Sequence, residues 1–204
     1  MNLPKFSSLV SGVVLGTLLF TSCAGTSSNG QAVLDNIASR TSVRTFQERP
    51  VGADTVELLL RAAMAAPSAR DRRPWAFVVV DDKTLLQQLA DSLPYAQSAA
   101  AAPMAVVVCG VLTESQDATN AGWWVQDAAA ASENLLLAAH AVGLGAVWTG
   151  VYSYEDRVRA VRNILGLPRH VVPLNVIPVG YPVGTSTPKQ KWDPSKIRRN
   201  GWKE

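Results

Sequence analysis

Three groups of basic and hydroxyl side chains have the types and spacing to bind an anionic ligand. In the first, SRTSVRTF at 39–46, Arg40, Ser42 and Arg44 alternate along the chain. Side chains of an extended segment alternate between its two faces, so these three would share one face. Two guanidinium groups and a hydroxyl can hold a phosphate, or the polar edge of a ring, through charge-assisted hydrogen bonds. A solvated strand edge is the alternative for this segment alone, because charged side chains usually face water.

The second group lies in the loop of APSARDRRPWAF at 66–77. A helix must stop before Pro67 and a buried strand follows, and polar loops between rigid elements are common locations of binding residues. The third group is the pair Lys189 and Lys191 in the C-terminal tail. Each group alone is a weak signal, but together they indicate a phosphate-bearing cofactor.

The sequence offers no set of side chains that could carry a reaction by itself. His140 is predicted to be a packed residue on a long helix, and His170 an exposed loop residue. No metal-ligand spacing, G-x-S-x-G elbow, P-loop or G-x-G-x-x-G fingerprint occurs in the sequence. If the protein is an enzyme, a bound cofactor would therefore carry the reaction.

The composition favours one well-packed domain without a nucleic-acid partner. Charged residues make up 17% of the 204 residues, below the average share of about 25%. The net charge is only +3, and basic residues are dense only in KIRRNGWK at 196–203. A nucleic-acid-binding protein usually carries a stronger basic stripe.

Hydrophobic periodicity predicts helices and strands in irregular alternation, which is typical of a layered α/β or α+β domain. The predicted helices span 31–39, 54–66, 82–93, 95–103, 123–142 and 153–165. The predicted strands span 75–80, 104–110, 145–150 and 171–182. Glu57, three residues after Asp54, indicates a capping box, and Ser153 is a predicted N-cap. Cys109 is predicted to be a small core residue.

The N-terminus has the three parts of a secretory signal: Lys5, an apolar stretch over 9–20, and small residues before Cys23. A cysteine at this point resembles the bacterial lipoprotein signal, in which the cysteine becomes the lipidated first residue. The apolar stretch is shorter than the roughly 20 residues that span a membrane comfortably. Phe20 replaces the leucine that is usual three residues before the cysteine. An uncleaved anchor and a misassigned start codon are the alternatives.

This resemblance predicts a signal peptide over 1–23, a tether over 24–30 and a folded domain over 31–204 that includes the tail. The protein would then be a membrane-anchored bacterial lipoprotein outside the cytoplasm, with Cys23 lipidated. It would be cytoplasmic if the signal is not processed.

The motifs, taken in order, resemble the FMN-dependent nitroreductase family over 31–204. SRTSVRTF is similar to its R-x-S-x-R flavin motif, and APSARDRRPWAFVVV to its A-P-S-x-x-N-x-Q-P-W segment. QDAAAASENLLLAAHAVGLGAVWTG is similar to its long central helix and Gly-Leu-Gly turn, and VIPVGYP with KQKW to its closing strand and basic tail. The resemblance implies the α+β nitroreductase fold, a three-layer α/β/α sandwich with a mixed central sheet.

The resemblance further implies a homodimer with FMN at the subunit interface, and NAD(P)H and a small oxidised acceptor as substrates. It implies no metal and no catalytic side chain, because FMN carries the chemistry. Pro67–Ala69 would reach the ring from the partner subunit, while Lys189 and Lys191 would complete a phosphate clamp. The full set of implied cofactor-binding residues is Arg40, Ser42, Arg44, Pro67, Ser68, Ala69, Arg73, Trp148, Thr149, Gly150, Lys189 and Lys191.

The sequence departs from the family pattern at two positions of the second motif. Asp71 stands for the common Asn and cannot donate a hydrogen bond from its carboxylate, and Arg73 stands for the common Gln. Asp71 is predicted to pair with a neighbouring arginine and is left out of the site. The segment 113–122 is short, so the cover over the substrate would be minimal. Core or interface packing is favoured over substrate stacking for the tryptophans at 123–124.

The resemblance implies an oxidoreductase with a ping-pong cycle, in which NAD(P)H reduces the flavin and a nitroaromatic, quinone or similar acceptor reoxidises it. An exported location conflicts with this cycle, because nicotinamide nucleotides are scarce outside the cytoplasm. The alternative is an exported, lipid-anchored flavin-binding module with another reductant or little turnover. A flavin-degrading or dehalogenating relative would need an extra lid, and the short segment 113–122 disfavours it.

Overall fold

The computed structural model describes residues 28–112 and 122–202 of the chain. The helices are α1 (Ser28–Ser39), α2 (Ala53–Met64), α3 (Lys83–Ser92), α4 (Ser98–Ala101), α5 (Trp123–Ala141) and α6 (Glu155–Leu165). The strands are β1 (Trp75–Val80), β2 (Met104–Val111), β3 (Gly145–Ala146), β4 (Thr149–Gly150) and β5 (Val171–Gly180). Short 3₁₀ turns occur at Ala69–Asp71 and Pro194–Lys196.

Strand β5 is the centre of the sheet. It pairs with β2 along one edge and with the short strands β3 and β4 along the other, while β1 extends the sheet beyond β2. All four ladders are antiparallel. Among the described residues, the parallel pairing of the predicted mixed sheet is confined to the bridge between Ser42 and Ala146.

Helices cover both faces of this sheet, and this explains why the sequence of β2 is continuously apolar. Val106 and Val108 pack on the side of α2 and α5, and Val107 and Cys109 pack on the side of α3 and α6. Successive side chains of a strand point to opposite faces, so a strand covered on both faces must be apolar at every position. The predicted three-layer α/β/α fold is therefore confirmed.

Helix α5 is the central helix, and its first turn contains a core tryptophan. Trp124 is buried, and its ring lies edge-on to Tyr152 with 4.8 Å between the ring centroids. A Cβ atom at Gly110 would lie 2.2 Å from the Trp124 ring, so only glycine fits at this position of β2. The predicted core packing is confirmed for Trp124. Its neighbour Trp123 remains exposed.

Two predicted helix caps are wrong. Helix α2 begins at Ala53 with Gly52 as its N-cap, so the capping-box register is lost, and Glu57 instead pairs with Arg61 at 2.6 Å. Helix α6 has Tyr154 as its N-cap, with no side-chain capping bond. Both helices start one or more residues away from the polar residue that the sequence favoured.

Three further local predictions differ from the structure. Helix α1 begins at Ser28, three residues before its predicted start at Gln31. The spacing of Leu58, Leu59 and Ala62 predicts the apolar face of α2. Leu58 is nevertheless exposed, because Leu59 and Ala63 form the buried face. Strand β1 was predicted to be buried, but it is half-buried along most of its length because it is an edge strand that pairs only with β2.

The apolar residues at the two ends of the described chain are exposed within one subunit. Val33, Leu34 and Ile37 have the predicted helical spacing, yet each is more than half exposed. In the tail, Trp192 and Trp202 are 71% and 78% exposed. These surfaces contact no other part of the described chain closely enough to bury them.

Residues 1–27, 113–121 and 203–204 lie outside the described residues. The predicted signal peptide, its Cys23 and most of the predicted tether fall there, as does nearly all of the short segment 113–122. Within the described ranges, no helix has both the length and the apolar character needed to span a membrane.

Candidate functional site

The structure brings two of the three predicted groups together in one cleft of about 320 Å³, here called the basic cleft. Four of its lining side chains are cationic and four carry hydroxyls. The lining residues are Arg40, Thr41, Ser42, Arg44, Ser186, Thr187, Lys189 and Lys191. A cleft with this lining can hold a multiply charged anion through charge-assisted hydrogen bonds.

Backbone pairing explains how segments so distant in sequence meet in the basic cleft. Near the start of the segment 40–47, the Val43 N–H donates to the Ala146 carbonyl at 3.0 Å. At its end, the Gln47 N–H donates to the Tyr181 carbonyl at 2.8 Å. The chain leaving β5 therefore runs beside the segment that carries the two arginines, and the tail lysines follow directly.

The basic cleft retains most of its positive charge. Arg40 pairs with Glu133 of α5, with 3.2 Å between Nε and Oε1. Arg44, Lys189 and Lys191 have no ion-pair partner in the part of the chain that the structure describes. Partly exposed pairs contribute only about 0–1 kcal/mol, so Glu133 leaves Arg40 able to bind a stronger anion.

The resemblance implies that Trp148, Thr149 and Gly150 line the flavin ring. They lie close in sequence to β3, which pairs with the segment carrying Arg40 and Arg44. Thr149 is buried, Trp148 is 37% exposed, and a methyl group at Gly150 would have no atom within 4 Å. The carbonyl of Gly150 accepts a hydrogen bond from Arg157 at 3.3 Å. The space over Gly150 is therefore open, as a flat ring would require.

The predicted residues Pro67, Ser68 and Ala69 do not line the basic cleft. They line a separate cleft of about 240 Å³, together with Trp123, Gln126, Asp127 and Ala130 of α5. The Ala69 N–H donates to the buried carboxylate of Asp127 at 2.9 Å. This bond fixes the loop against the first turns of α5.

The loop at 67–69 and the basic cleft contact different faces of α5. Asp127 holds the loop at 67–69, and Glu133 holds Arg40 of the basic cleft. Six helical residues separate them by about 9 Å along the axis and about 120° around it. Within one subunit, the loop and the basic cleft therefore do not converge on a single site.

The loop that follows Ala69 is closed by its own side chains. Arg73 forms a fork on Asp71, with distances of 2.7 and 2.6 Å to the two carboxylate oxygens. These bonds lower the pKa of Asp71 and raise the pKa of Arg73. The predicted pairing of Asp71 with a neighbouring arginine is confirmed, and the guanidinium of Arg73 is engaged by Asp71.

The backbone of this loop is unusual. Arg70, Asp71 and Arg73 have φ angles of 55°, 53° and 50°, in the left-handed region that residues other than glycine rarely occupy. The Arg73 N–H donates to the Ser68 hydroxyl at 2.9 Å, which helps to hold this conformation. Residues held in such conformations are often found at ligand sites.

Several site residues were missed at the sequence level. Thr41, Ser186 and Thr187 contribute hydroxyls to the basic cleft. Arg44 also lines a neighbouring cleft of about 460 Å³ with Tyr95, Gln97, Ser98 and Ala101. Polar residues beside the RTSVR and KQK motifs could have suggested the first set, but no sequence signal connects Tyr95 with Arg44.

The structure assigns packing roles to the histidine on α5 and to the buried cysteine. His140 Nε2 lies 2.9 Å from the Ser39 hydroxyl, which ties α5 to α1. His170 is exposed, as predicted. Burial raises the pKa of Cys109 to about 12, so this thiol is not a nucleophile near neutral pH. The described residues contain no cluster of three or more potential metal ligands.

Comparisons with known proteins agree with this geometry. The model of the "Nitroreductase family" matches residues 37–124 and 92–181. A protein of Methanothermobacter thermautotrophicus, named provisionally as an NADH dehydrogenase/NAD(P)H nitroreductase, is 44% identical over 170 residues. This match covers 83% of the present chain and 87% of that protein.

Solved structures support the same assignment. A crystal structure from Parabacteroides distasonis, with the same provisional name, is 50% identical, has a TM-score of 0.78, and is matched over 83% of this chain and 98% of that one. An FMN-dependent nitroreductase from Clostridium difficile R20291 is 25% identical with a TM-score of 0.75, over 83% and 99% of the two chains. From its sequence and its fold, this chain belongs to the nitroreductase family.

Proposed function

We propose that this protein is an FMN-dependent oxidoreductase that takes electrons from NAD(P)H and passes them to nitroaromatic, quinone or similar acceptors. The observation that carries the proposal is the basic cleft, in which four cations and four hydroxyls converge from two distant segments. A relative in this family is described as FMN-dependent, and others as NAD(P)H nitroreductases. FMN supplies a ring that accepts two electrons from a nicotinamide and returns them to an oxidised substrate.

The residues of the chain fit this cofactor. Arg40, Lys189 and Lys191 would neutralise the phosphate, and the neighbouring hydroxyls would donate hydrogen bonds to it. The open space over Gly150 would receive the ring, and the hydrogen bond from Arg157 to the Gly150 carbonyl would hold the strand in place. The contribution of these residues is to bind and orient rather than to transfer protons, since the basic cleft has no histidine, cysteine or carboxylate in its lining.

A ping-pong order follows from a shared binding surface. The open surface beside Trp148 and Gly150 would be where both the nicotinamide and the acceptor approach. If both substrates use this surface, the oxidised nicotinamide must leave before the acceptor can enter. Parallel double-reciprocal plots of initial rates at several acceptor concentrations are the expected kinetic result.

A homodimer would bring the two separated regions of the site together. The loop at Pro67–Ala69 and the basic cleft do not converge within one subunit, which supports a site completed by the second copy. The exposed apolar residues of α1, among them Val33 and Ile37, would be covered in such a dimer, as would Trp192 and Trp202 of the tail. Sedimentation equilibrium of the full 204-residue chain, corrected for bound detergent, should give twice the monomer mass of 21.8 kDa.

We further propose that Cys23 is lipidated and that the protein is anchored to a membrane outside the cytoplasm. The tripartite N-terminal pattern supports this location. Palmitate incorporation at Cys23, sensitive to globomycin, is the expected result for the full chain. Unchanged membrane association of the Cys23→Ala variant would refute the anchor.

The N-terminal pattern also favours a second candidate function, a lipid-anchored flavin-binding module that uses another reductant or turns over little. The test is a visible spectrum of the full-length protein with FMN, followed by anaerobic addition of NADH or NADPH. Flavin bands that are bleached by a nicotinamide donor support the oxidoreductase. Flavin bands that resist both donors favour the binding module, and the absence of FMN binding rules out both functions.

A further inference from the structure

A fourth cleft lies beside the loop that follows Pro67 and shares Ala69, Trp123 and Asp127 with the cleft of about 240 Å³. Its volume is about 210 Å³, and its lining includes Arg70, Arg72, Pro74, Trp123 and Asp127. We infer that this Trp123 cleft binds an electron acceptor that is a single aromatic ring carrying an anionic group, such as a carboxylate. The inference rests on the proposed function, because it names the acceptor class of that enzyme.

The charges around this cleft favour an anion. Asp71 and Arg73 form a closed pair and cancel each other. In contrast, neither Arg70 nor Arg72 has an ion-pair partner anywhere in the ranges 28–112 and 122–202. Guanidinium groups bind carboxylates through paired N–H donors, which gives these two arginines a natural ligand.

The carboxylate of Asp127 opposes an anion, but it is already engaged. It is 6% exposed and accepts the Ala69 N–H at 2.9 Å. The two arginines of the lining therefore outnumber the single carboxylate, and both arginines are exposed while Asp127 is buried. An incoming anion would meet the guanidinium groups first.

Trp123 gives the cleft its preference for a flat ring. The adjacent tryptophans begin the same helix, yet Trp124 is 5% exposed and packs in the core while Trp123 is 51% exposed. A large exposed aromatic ring in a mostly apolar cleft is a stacking surface that the fold does not need for its own packing. Stacking on Trp123 and pairing with the arginines can be satisfied by one small molecule.

The size of the cleft separates an acceptor from a nicotinamide nucleotide. A cavity of about 150 Å³ holds one benzene ring, so about 210 Å³ suits one substituted ring but not a dinucleotide. Ala69 belongs both to this lining and to the loop that is predicted to touch the flavin. In the proposed dimer this loop reaches the ring bound by the partner subunit. An acceptor bound in the cleft would therefore lie over the same open ring surface that the nicotinamide approaches, as the ping-pong order requires.

The test compares 4-nitrobenzoate with its neutral analogue 4-nitrobenzamide, using the FMN-loaded full-length protein. Equilibrium dialysis measures the affinity for each compound, and steady-state rates give KM and kcat. We expect the protein to bind the carboxylate about tenfold more tightly than the amide, since each charge-assisted bond is stronger than a neutral one. The Arg70→Gln/Arg72→Gln variant should lose this preference, with its largest effect on the KM of the carboxylate rather than on kcat.

Matched variants identify the cause of any change. Arg159→Gln removes another exposed arginine, on α6, and should leave the preference unchanged. Trp123→Leu should weaken both compounds together, because stacking does not depend on charge. The FMN dissociation constant and the unfolding temperature are measured for every variant, so that a misfolded protein is recognised.

An equal affinity of the wild-type protein for the two compounds, or a preference that survives in the Arg70→Gln/Arg72→Gln variant, would overturn the inference. Failure of the proposed function is a separate result, since it appears as a lack of FMN binding by the wild-type protein. In that case the same dialysis without flavin still tests the cleft. Retention of the preference for the carboxylate there would uphold the binding site, and its loss would overturn it.

Discussion

The basic cleft and the loop at 68–73 use the same type of residue in opposite ways. In the basic cleft, backbone hydrogen bonds from Val43 and Gln47 hold the segment of Arg40 and Arg44. The side chain of Arg44 is therefore not needed to hold the segment, and Arg40 has only its pair with the half-exposed Glu133. In the loop, side-chain bonds hold the backbone, and Arg73 is engaged by Asp71. An arginine is available to a ligand only where the fold does not need its charge.

The two regions also differ in how their neighbours on α5 act on them. Glu133 lies at the edge of the basic cleft, is about half exposed, and weakly screens Arg40. Asp127 is buried and directly holds the backbone of the loop through Ala69. Charge substitutions should therefore alter affinity in the basic cleft, whereas changes at Asp127 should alter stability.

The largest expected effect is on FMN affinity in the basic cleft. The Lys189→Gln/Lys191→Gln variant should weaken FMN binding about 100-fold, because two charge-assisted contacts of at least about 1.5 kcal/mol each are lost. Riboflavin, which has no phosphate, should bind with little change. Fluorescence titration of both flavins checks this, with Arg159→Gln as the control. A parallel loss of riboflavin affinity would show that the lysines do not act on the phosphate.

The next effect concerns the loop. Asp127→Leu should reduce the free energy of unfolding by about 1–3 kcal/mol, because the Ala69 N–H would lose its buried acceptor. Asp127→Asn can still accept this bond through its amide oxygen and should recover most of the stability. Thermal and urea unfolding provide the measurement. If the Asn variant is as unstable as the Leu variant, the negative charge rather than the hydrogen bond holds the loop.

A substitution at Gly150 should change FMN affinity without changing the stability of the fold. Gly150→Val adds a side chain into open space on a strand, so the unfolding temperature should change little. The same side chain would occupy the predicted position of the ring and should weaken FMN binding about tenfold or more. As a contrast, Gly180→Ala would place a Cβ 2.5 Å from Pro103 and should destabilise the fold. Unaltered FMN affinity in Gly150→Val would move the ring away from this residue.

The smallest expected effect is on the pH dependence of folding stability, through the ion pair of Asp71 and Arg73. The pKa of Asp71 is lowered in the folded protein by its bonds with Arg73. A lowered folded pKa stabilises the protein above the unfolded pKa, near 3.9, and this contribution is lost as the pH falls through the folded value. The stability difference between the wild type and Asp71→Asn should therefore be small at neutral pH and shrink below about pH 4. A difference that grows on acidification would contradict the pair.

The sequence alone could predict the groups of the basic cleft because their signals are local. Alternation of Arg40, Ser42 and Arg44 follows from strand geometry, and the lysines follow a closing strand. Only the resemblance to a family predicted that these groups lie in one site, because spacing alone cannot show which distant segments pair. The pairing of Val43 with Ala146 is a tertiary contact without a local pattern.

The Trp123 cleft and the helix caps could not be predicted for a different reason. Two adjacent tryptophans are equally apolar, so the sequence does not show which of them is buried. In the structure, Trp124 packs against Gly110 and is buried, while Trp123 is exposed. The capping box at Asp54 is not formed because the N-cap of α2 is Gly52, two residues earlier, and a small shift of the helix start removes the geometry of the box. The left-handed backbone conformation at Arg70 could not be predicted either, because glycine, the residue that usually indicates this conformation, is absent there.

The central claim is that the basic cleft binds the phosphate of FMN. Titration of the wild-type protein with FMN and with riboflavin, followed by flavin fluorescence, tests it most directly. FMN should bind at least about 100-fold more tightly than riboflavin, because several cations would contact the phosphate. Equal affinities for the two flavins, or no binding of either, would contradict it.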